Sequence, residues 1–125
     1  MVVINNEKFK YREELKERTK LFALRVINLY KSLPKTTEAQ IIGKQLLRSA
    51  TSLASNYRAA CRARSNAEYF SKISIVIEET DETMFWTEIL WEANIVKQNL
   101  LQSLYKENEE ILKIMAVSRK NSEKK

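Results

Sequence analysis

Residues 33–68 read LPKTTEAQIIGKQLLRSATSLASNYRAACRARSNAE, a stretch that holds a helix stop, a helix start, a whole helix and a second start. Pro34 disfavours helical geometry at Leu33, so a preceding helix ends there. Thr36-Thr37-Glu38 opens the next helix; Thr37 can cap it, with Gln40 three residues on completing a capping box. Ile42, Leu46, Leu53, Ala54, Tyr57 and Cys61 then recur at helical spacing. The centre of this helix is built from small residues, Ser49, Ala50, Thr51, Ser52, Ala54, Ser55, Ala59 and Ala60, which let two helix axes approach closely. Ser65-x-x-Glu68 repeats the capping-box signature and predicts a third helix from about residue 66.

The same periodicity extends outward on both sides. Over residues 7–32, Leu15, Phe22, Val26, Leu29 and Leu33 share one helical face with Thr19 between the first two, and Leu21 and Leu24 widen that stripe. Lys10, Glu13, Glu14, Glu17 and Lys20 occupy the opposite side. The third helix is expected to run to about residue 97, with a main stripe of Phe70, Ile73, Ile77, Met84, Trp91 and Ile95. Val76, Trp86, Leu90 and Ala93 form a flanking stripe. A helix apolar on two faces needs two neighbours, and in a small bundle the second can belong to another subunit. A fourth helix is expected over about 100–118, with Leu100, Leu101, Leu104, Ile111, Leu112 and Met115 inward. Residues 1–118 then form one domain, and 119–125 a charged, disordered tail.

The fold class that follows is all-α, an antiparallel up-down four-helix bundle. Composition agrees: the 125 residues include one Gly and one Pro, where average usage would give about 9 and 6. Long elements joined by few turns are what such a chain can build.

Composition also excludes chemistry. There is no His and a single Cys, Cys61. Zinc sites need several Cys or His ligands, di-iron bundles need Glu-x-x-His pairs, and no nucleophile–base pairing is available. No metal, cofactor or small-molecule substrate is expected, and the chain is read as non-enzymatic. A lone thiol suits a reducing cytoplasm. No apolar run approaches the ~18 residues of a membrane span, and the first residues lack the basic start and long apolar stretch of a signal peptide.

Formal net charge is +6, unevenly distributed. Residues 44–64 carry Lys44, Arg48, Arg58, Arg62 and Arg64 with no acid, whereas residues 65–96 carry Lys72 against seven acids. Arg58, Arg62, Arg64, Lys16 and Lys20 are the candidates for contact with RNA or DNA phosphates, with Tyr57 nearby for stacking. The competing reading of Arg58, Arg62 and Ser65 is dipole compensation at a helix C-terminus. Glu78, Glu79, Asp81 and Glu82 are expected to pair with Arg48, Arg58 and Arg62, giving a structural polar network of Arg48, Asn56, Glu78 and Glu82. Trp86 and Trp91, five residues apart, point in different directions, and one of them is expected to meet a neighbouring subunit.

The string from Leu47 to Ser65, with Glu68-Tyr69-Phe70 and Glu78-Glu79-Thr80-Asp81-Glu82-Thr83 after it, resembles the bacterial four-helix bundle family of 23S ribosomal RNA intervening-sequence proteins. The resemblance covers roughly residues 7–117. Its most specific part is Arg-x-Ala-x-Ser-x-x-x-Asn, here Arg48, Ala50, Ser52 and Asn56. Where the family often has a Glu-Gly-like stretch after that Asn, this chain has Arg58-Ala59-Ala60-Cys61-Arg62-Ala63. The resemblance implies an up-down bundle, a ring-like homopentamer and a positively charged surface. A related branch comprises accessory proteins of diversity-generating retroelements, which bind nucleic acid. Two functional readings stand: a homo-oligomeric nucleic-acid-binding accessory protein, and a protein-interaction scaffold with no nucleic-acid role.

Overall fold

The computed structural model describes residues 6–123, which form four helices: α1 (Asn6–Ser32), α2 (Thr37–Cys61), α3 (Asn66–Glu92) and α4 (Gln98–Glu123). Each helix buries a seam whose steps alternate between three and four residues. In α2 the seam is Ala39, Gly43, Leu46, Ala50, Leu53, Tyr57 and Ala60, with Ser49 beside it. In α1 it runs through Leu15, Thr19, Phe22, Val26 and Leu33, and in α4 through Leu101, Leu104, Asn108, Ile111 and Met115. Seams of this spacing converge into one core.

Cross-helix hydrogen bonds set the directions. Arg48 meets Glu82 while Ser52 meets Glu79, so α2 and α3 run antiparallel. Asn66 Nδ2 donates to Ser122 O and Asn108 Nδ2 to Thr80 O, which makes α3 and α4 antiparallel too. Arg18 bonds Glu107 and Arg25 bonds Ser103 between α1 and α4. The α2–α3 contact is the most extensive, as the small residues of α2 predict, and α1 touches α4 only lightly.

Both helix-start signals work, the first shifted by one residue. Thr36, not Thr37, caps α2, its side chain accepting from Ala39 N at 3.3 Å. Gln40 does not close a capping box; its amide donates to Pro34 O and accepts from the Tyr30 hydroxyl, tying the turn to α1. Ser65 caps α3 by accepting from Glu68 N, and the Glu68 carboxylate accepts from Arg64 N rather than Ser65 N. That contact holds the Glu68 carboxyl below its usual range.

Two boundary expectations are corrected. Helix α3 ends at Glu92, because Asn94 adopts φ 60°, a left-handed conformation that Asn tolerates better than most residues. Ile95 and Val96 both donate to Leu90 O, so Ile95 packs on the core from a loop. The expected disordered tail is helical through Glu123: no breaker interrupts 119–123, Ser122 is buried, and Asn66 caps its carbonyl. Residues 124 and 125 lie outside the described residues.

The core of α3 is the largest departure. Its buried seam is Tyr69, Ile73, Val76, Thr80, Thr83, Thr87 and Leu90. The expected main stripe of Phe70, Ile77, Met84 and Trp91 lies beside that seam and is only half-buried. Thr80, Thr83 and Thr87 can replace apolar residues because each hydroxyl bonds the carbonyl four residues back, at 2.6, 2.8 and 2.8 Å. Leu21, Leu24 and Leu100 are likewise exposed rather than inward, since each lies off its helix's seam.

Asn108 shares this polar level of the core. Its Nδ2 reaches Thr80 O at 3.0 Å, but its buried Oδ1 has no hydrogen-bond partner. An orphaned buried acceptor costs about 1–3 kcal/mol. Asn108→Leu, similar in branching, is expected to raise stability by about 1 kcal/mol in urea unfolding with an unchanged slope. A loss of stability of that size would instead mean that Oδ1 is satisfied in solution.

Candidate nucleic-acid interface

The antiparallel course of α1 and α2 brings three of the five candidate cations together. Lys16, Lys20 and Arg58 line one open groove of about 420 Å³ together with Glu13 and Glu17, over Ala23, Thr51, Ala54 and Ser55. Lys16 and Lys20 come from successive turns of α1, and Arg58 from the last turn of α2. The small residues of α2 keep the floor low. Both lysines already face acids one turn back: Lys16 reaches Glu13 at 2.7 Å and Lys20 reaches Glu17 at 3.5 Å. Arg58 makes no ion pair among the described residues and supplies the groove's uncompensated charge. Exposed pairs of this kind contribute little to stability, so their cations remain open to exchange of partner.

Arg62 and Arg64 fall outside the groove. Arg62 is the C-cap residue of α2, exposed, its backbone N–H donating to Ala59 O and Ala60 O. Arg64 reaches toward Glu68 at 3.5 Å with a side chain 90% exposed. Both still lie at the end of the bundle where α2 stops and α3 starts.

On the other side of α2 stands the polar network. Arg48 spans Glu79, at 3.2 Å, and Glu82, at 2.7 Å. Ser52 Oγ donates to Glu79, and Asn56 Nδ2 donates to Ser52 Oγ and Ser52 O. Trp86 Nε1 donates to Glu82 at 3.0 Å. The expected member Glu78 is not part of it: Glu78 is exposed, and Glu79 takes its place. The reason is the α3 seam, which places 79, 82 and 86 on the flank facing α2 and turns 78 to solvent. Arg58 and Arg62 also fail to meet these acids, since the groove and the bundle end hold them elsewhere.

Trp86 and Trp91 are both half-buried, neither of them core. Trp86 lies edge-on to the exposed Phe85 at 4.9 Å, and Trp91 edge-on to Tyr105 at 5.1 Å. The Tyr105 hydroxyl donates to Glu88 at 2.6 Å, and that bond pushes its pKa up to about 12. The bidentate Arg18–Glu107 pair and the core threonines carry no sequence signal beyond their spacing, and were not anticipated.

The remaining chemistry is quiet. Burial raises the Cys61 thiol, which suppresses the nucleophilic thiolate. Burial raises the Tyr57 hydroxyl as well. Among the described residues no group of three or more His, Cys, Asp or Glu side chains is placed to hold a metal ion. Also among them, no helix is long and apolar enough to cross a membrane.

The bonds from Trp86 and then Arg48 hold the Glu82 carboxyl below its usual range. A carboxyl with a depressed folded pKa stabilises the fold above its unfolded pKa and loses that contribution as pH falls through the folded value. In a Trp91→Phe background, Trp86 fluorescence is expected to titrate below pH ~4.3, the ordinary Glu value, and Glu82→Gln to abolish the step. A step at the ordinary value would show that the bond does not persist in solution.

The comparisons with known proteins agree with this architecture. The family model described as 23S rRNA-intervening sequence protein matches residues 13–117. A crystal structure of a protein of unknown function from the S23 ribosomal protein family of Bacteroides thetaiotaomicron VPI-5482 superposes with a TM-score of 0.79 at 33% identity, covering 85% of this chain and 98% of that one. No curated protein matches. With the family model spanning all four helices, the chain belongs to the 23S rRNA-intervening sequence protein family.

Proposed function

We propose that this chain is a non-catalytic, homo-oligomeric bundle that binds the phosphate backbone of RNA or DNA. The observation that carries the reading is the groove between α1 and α2, where Lys16, Lys20 and the unpaired Arg58 converge. Its charge continues to the adjoining end of the bundle. There, residues 7–14, 58–72 and 113–123 carry ten basic and five acidic side chains. The stretch 78–92 of α3 carries six acids and no base, so a polyanion has a preferred side of approach. An open groove of this kind suits a backbone read through charge rather than a base sequence.

Fluorescence anisotropy of labelled RNA and DNA against the full chain, across a salt series, tests this. The logarithm of affinity should fall with the logarithm of salt by about 0.7 per phosphate contact for a single strand. Arg58→Ala with Lys20→Ala should flatten that slope by about one to two contacts. Absence of binding at low salt, or salt-independent binding, would overturn the reading.

A second reading rests on Phe85, 49% exposed and edge-on to Trp86. This flank suits a protein contact, with a second copy as the first candidate. Phe85→Asp should then reduce the mass in solution toward that of the 14.7 kDa chain. An oligomer unchanged by that substitution would remove the α3 flank from the interface.

A further inference from the structure

The bundle end holds a second concavity, separate from the α1–α2 groove. It measures about 300 Å³ and is walled by Lys8 and Arg12 of α1, Tyr57 of α2, Tyr69 of α3, and Ser118 and Asn121 of α4. All four helices contribute, because the antiparallel course brings the starts of α1 and α3 together with the ends of α2 and α4. Asn66 Nδ2 fastens one rim by donating to Ser122 O at 2.7 Å.

Among the described residues, no Asp or Glu lines this cavity. Arg12 is half-buried and makes no ion pair among the described residues; its guanidinium lies over the Tyr69 ring, 4.6 Å from the ring centre. The neighbouring acid, Glu13, is engaged by Lys16. Charges taken partly out of water are normally paired. Here the ring orients the guanidinium plane while the acid-free wall leaves its counter-charge to come from outside. Lys8 lines the same cavity, and the Asn121 amide adds a group able to donate.

From this geometry we infer that the bundle-end cavity binds a terminal phosphate group, a phosphomonoester, with Arg12 as the principal contact. A guanidinium presents parallel donors that match phosphate oxygens, and a terminal phosphate exposes more of them than a backbone diester does. Walls contributed by all four helices suit the end of a ligand better than a strand passing through. The shared chemistry is the monoester; it can be the end of a nucleic-acid strand or a small free phosphate.

Two arms separate these sources, both on the full chain. In the first, inorganic phosphate is titrated while amide resonances are followed by NMR; saturable shifts confined to residues near Arg12, Tyr69 and 118–122 are expected. In the second, an RNA bearing a 5′-phosphate is compared with its 5′-hydroxyl twin. The phosphorylated strand should bind about tenfold tighter, and Arg12→Gln should remove that advantage while the salt slope of the remaining binding persists. Asn121→Asp, at an exposed position, places an acid in the wall and should have the same effect on a folded protein. Phosphate shifts with no preference between the strands support the cavity and assign it to a free phosphate. No phosphate shifts and equal strand affinities overturn it. Because the first arm uses no nucleic acid, a chain that binds no strand would defeat the function proposed above without deciding this one.

Discussion

The packing of α3 against α2 is the constraint on which the rest of the bundle depends. Ser49, Ala50 and Leu53 of α2 meet a seam of α3 that contains Thr80, Thr83 and Thr87, all buried. Threonine is short enough to let the axes come close, and its hydroxyl is satisfied within its own helix. Thr83 Oγ1 lies 2.8 Å from both Glu79 O and Ser49 Oγ, so one polar contact crosses the core without leaving an orphan. With small residues on the inside, the bulky side chains of α3 are displaced to its flanks. Phe70, Met84 and Trp86 are therefore only half-buried and Phe85 is exposed.

That arrangement explains what was legible in the sequence. The number of helices, their approximate bounds and the tight role of α2 follow from Pro34, two cap signals and a run of small residues. The inner face of α3 does not follow, because a hydrophobic tally scores threonine as polar. Read with threonine admitted, Tyr69, Ile73, Val76, Thr80, Thr83, Thr87 and Leu90 make an unbroken three-four series. A tally that omits it slides by one residue onto Phe70, Ile77 and Met84. The same shift misplaces the acids: with the seam corrected, Glu79 rather than Glu78 must face Arg48, as it does. The helical continuation through Arg119–Glu123 was hidden for another reason, since its stabilising contact comes from Asn66, more than fifty residues away in the chain.

The polar clasps between helices follow the same economy. Where α2 and α3 pack closely, the Arg48–Glu79–Glu82 network sits at the rim, its arginine half-exposed. Where α1 and α4 pack least, the bidentate Arg18–Glu107 pair and the Arg25–Ser103 bond span the seam. Pairs this exposed add little stability. Their geometric demand, two parallel donors on one carboxylate, favours one register of the helices over another. In a bundle whose four seams share one spacing, register is what apolar packing alone specifies least well.

The groove between α1 and α2 then bears on assembly. Two of its three cations are shared with Glu13 and Glu17, so a phosphate must compete with contacts already in place. A single groove therefore offers one uncompensated arginine and two contested lysines, too few contacts for firm binding at physiological salt. Weak sites become effective when several are held in fixed relation, because each bound phosphate raises the local concentration of the next. Phe85 lies outside the groove, so on the reading proposed above copies that met at Phe85 would leave the groove free. On this geometry, self-association is a requirement of the nucleic-acid reading rather than an addition to it.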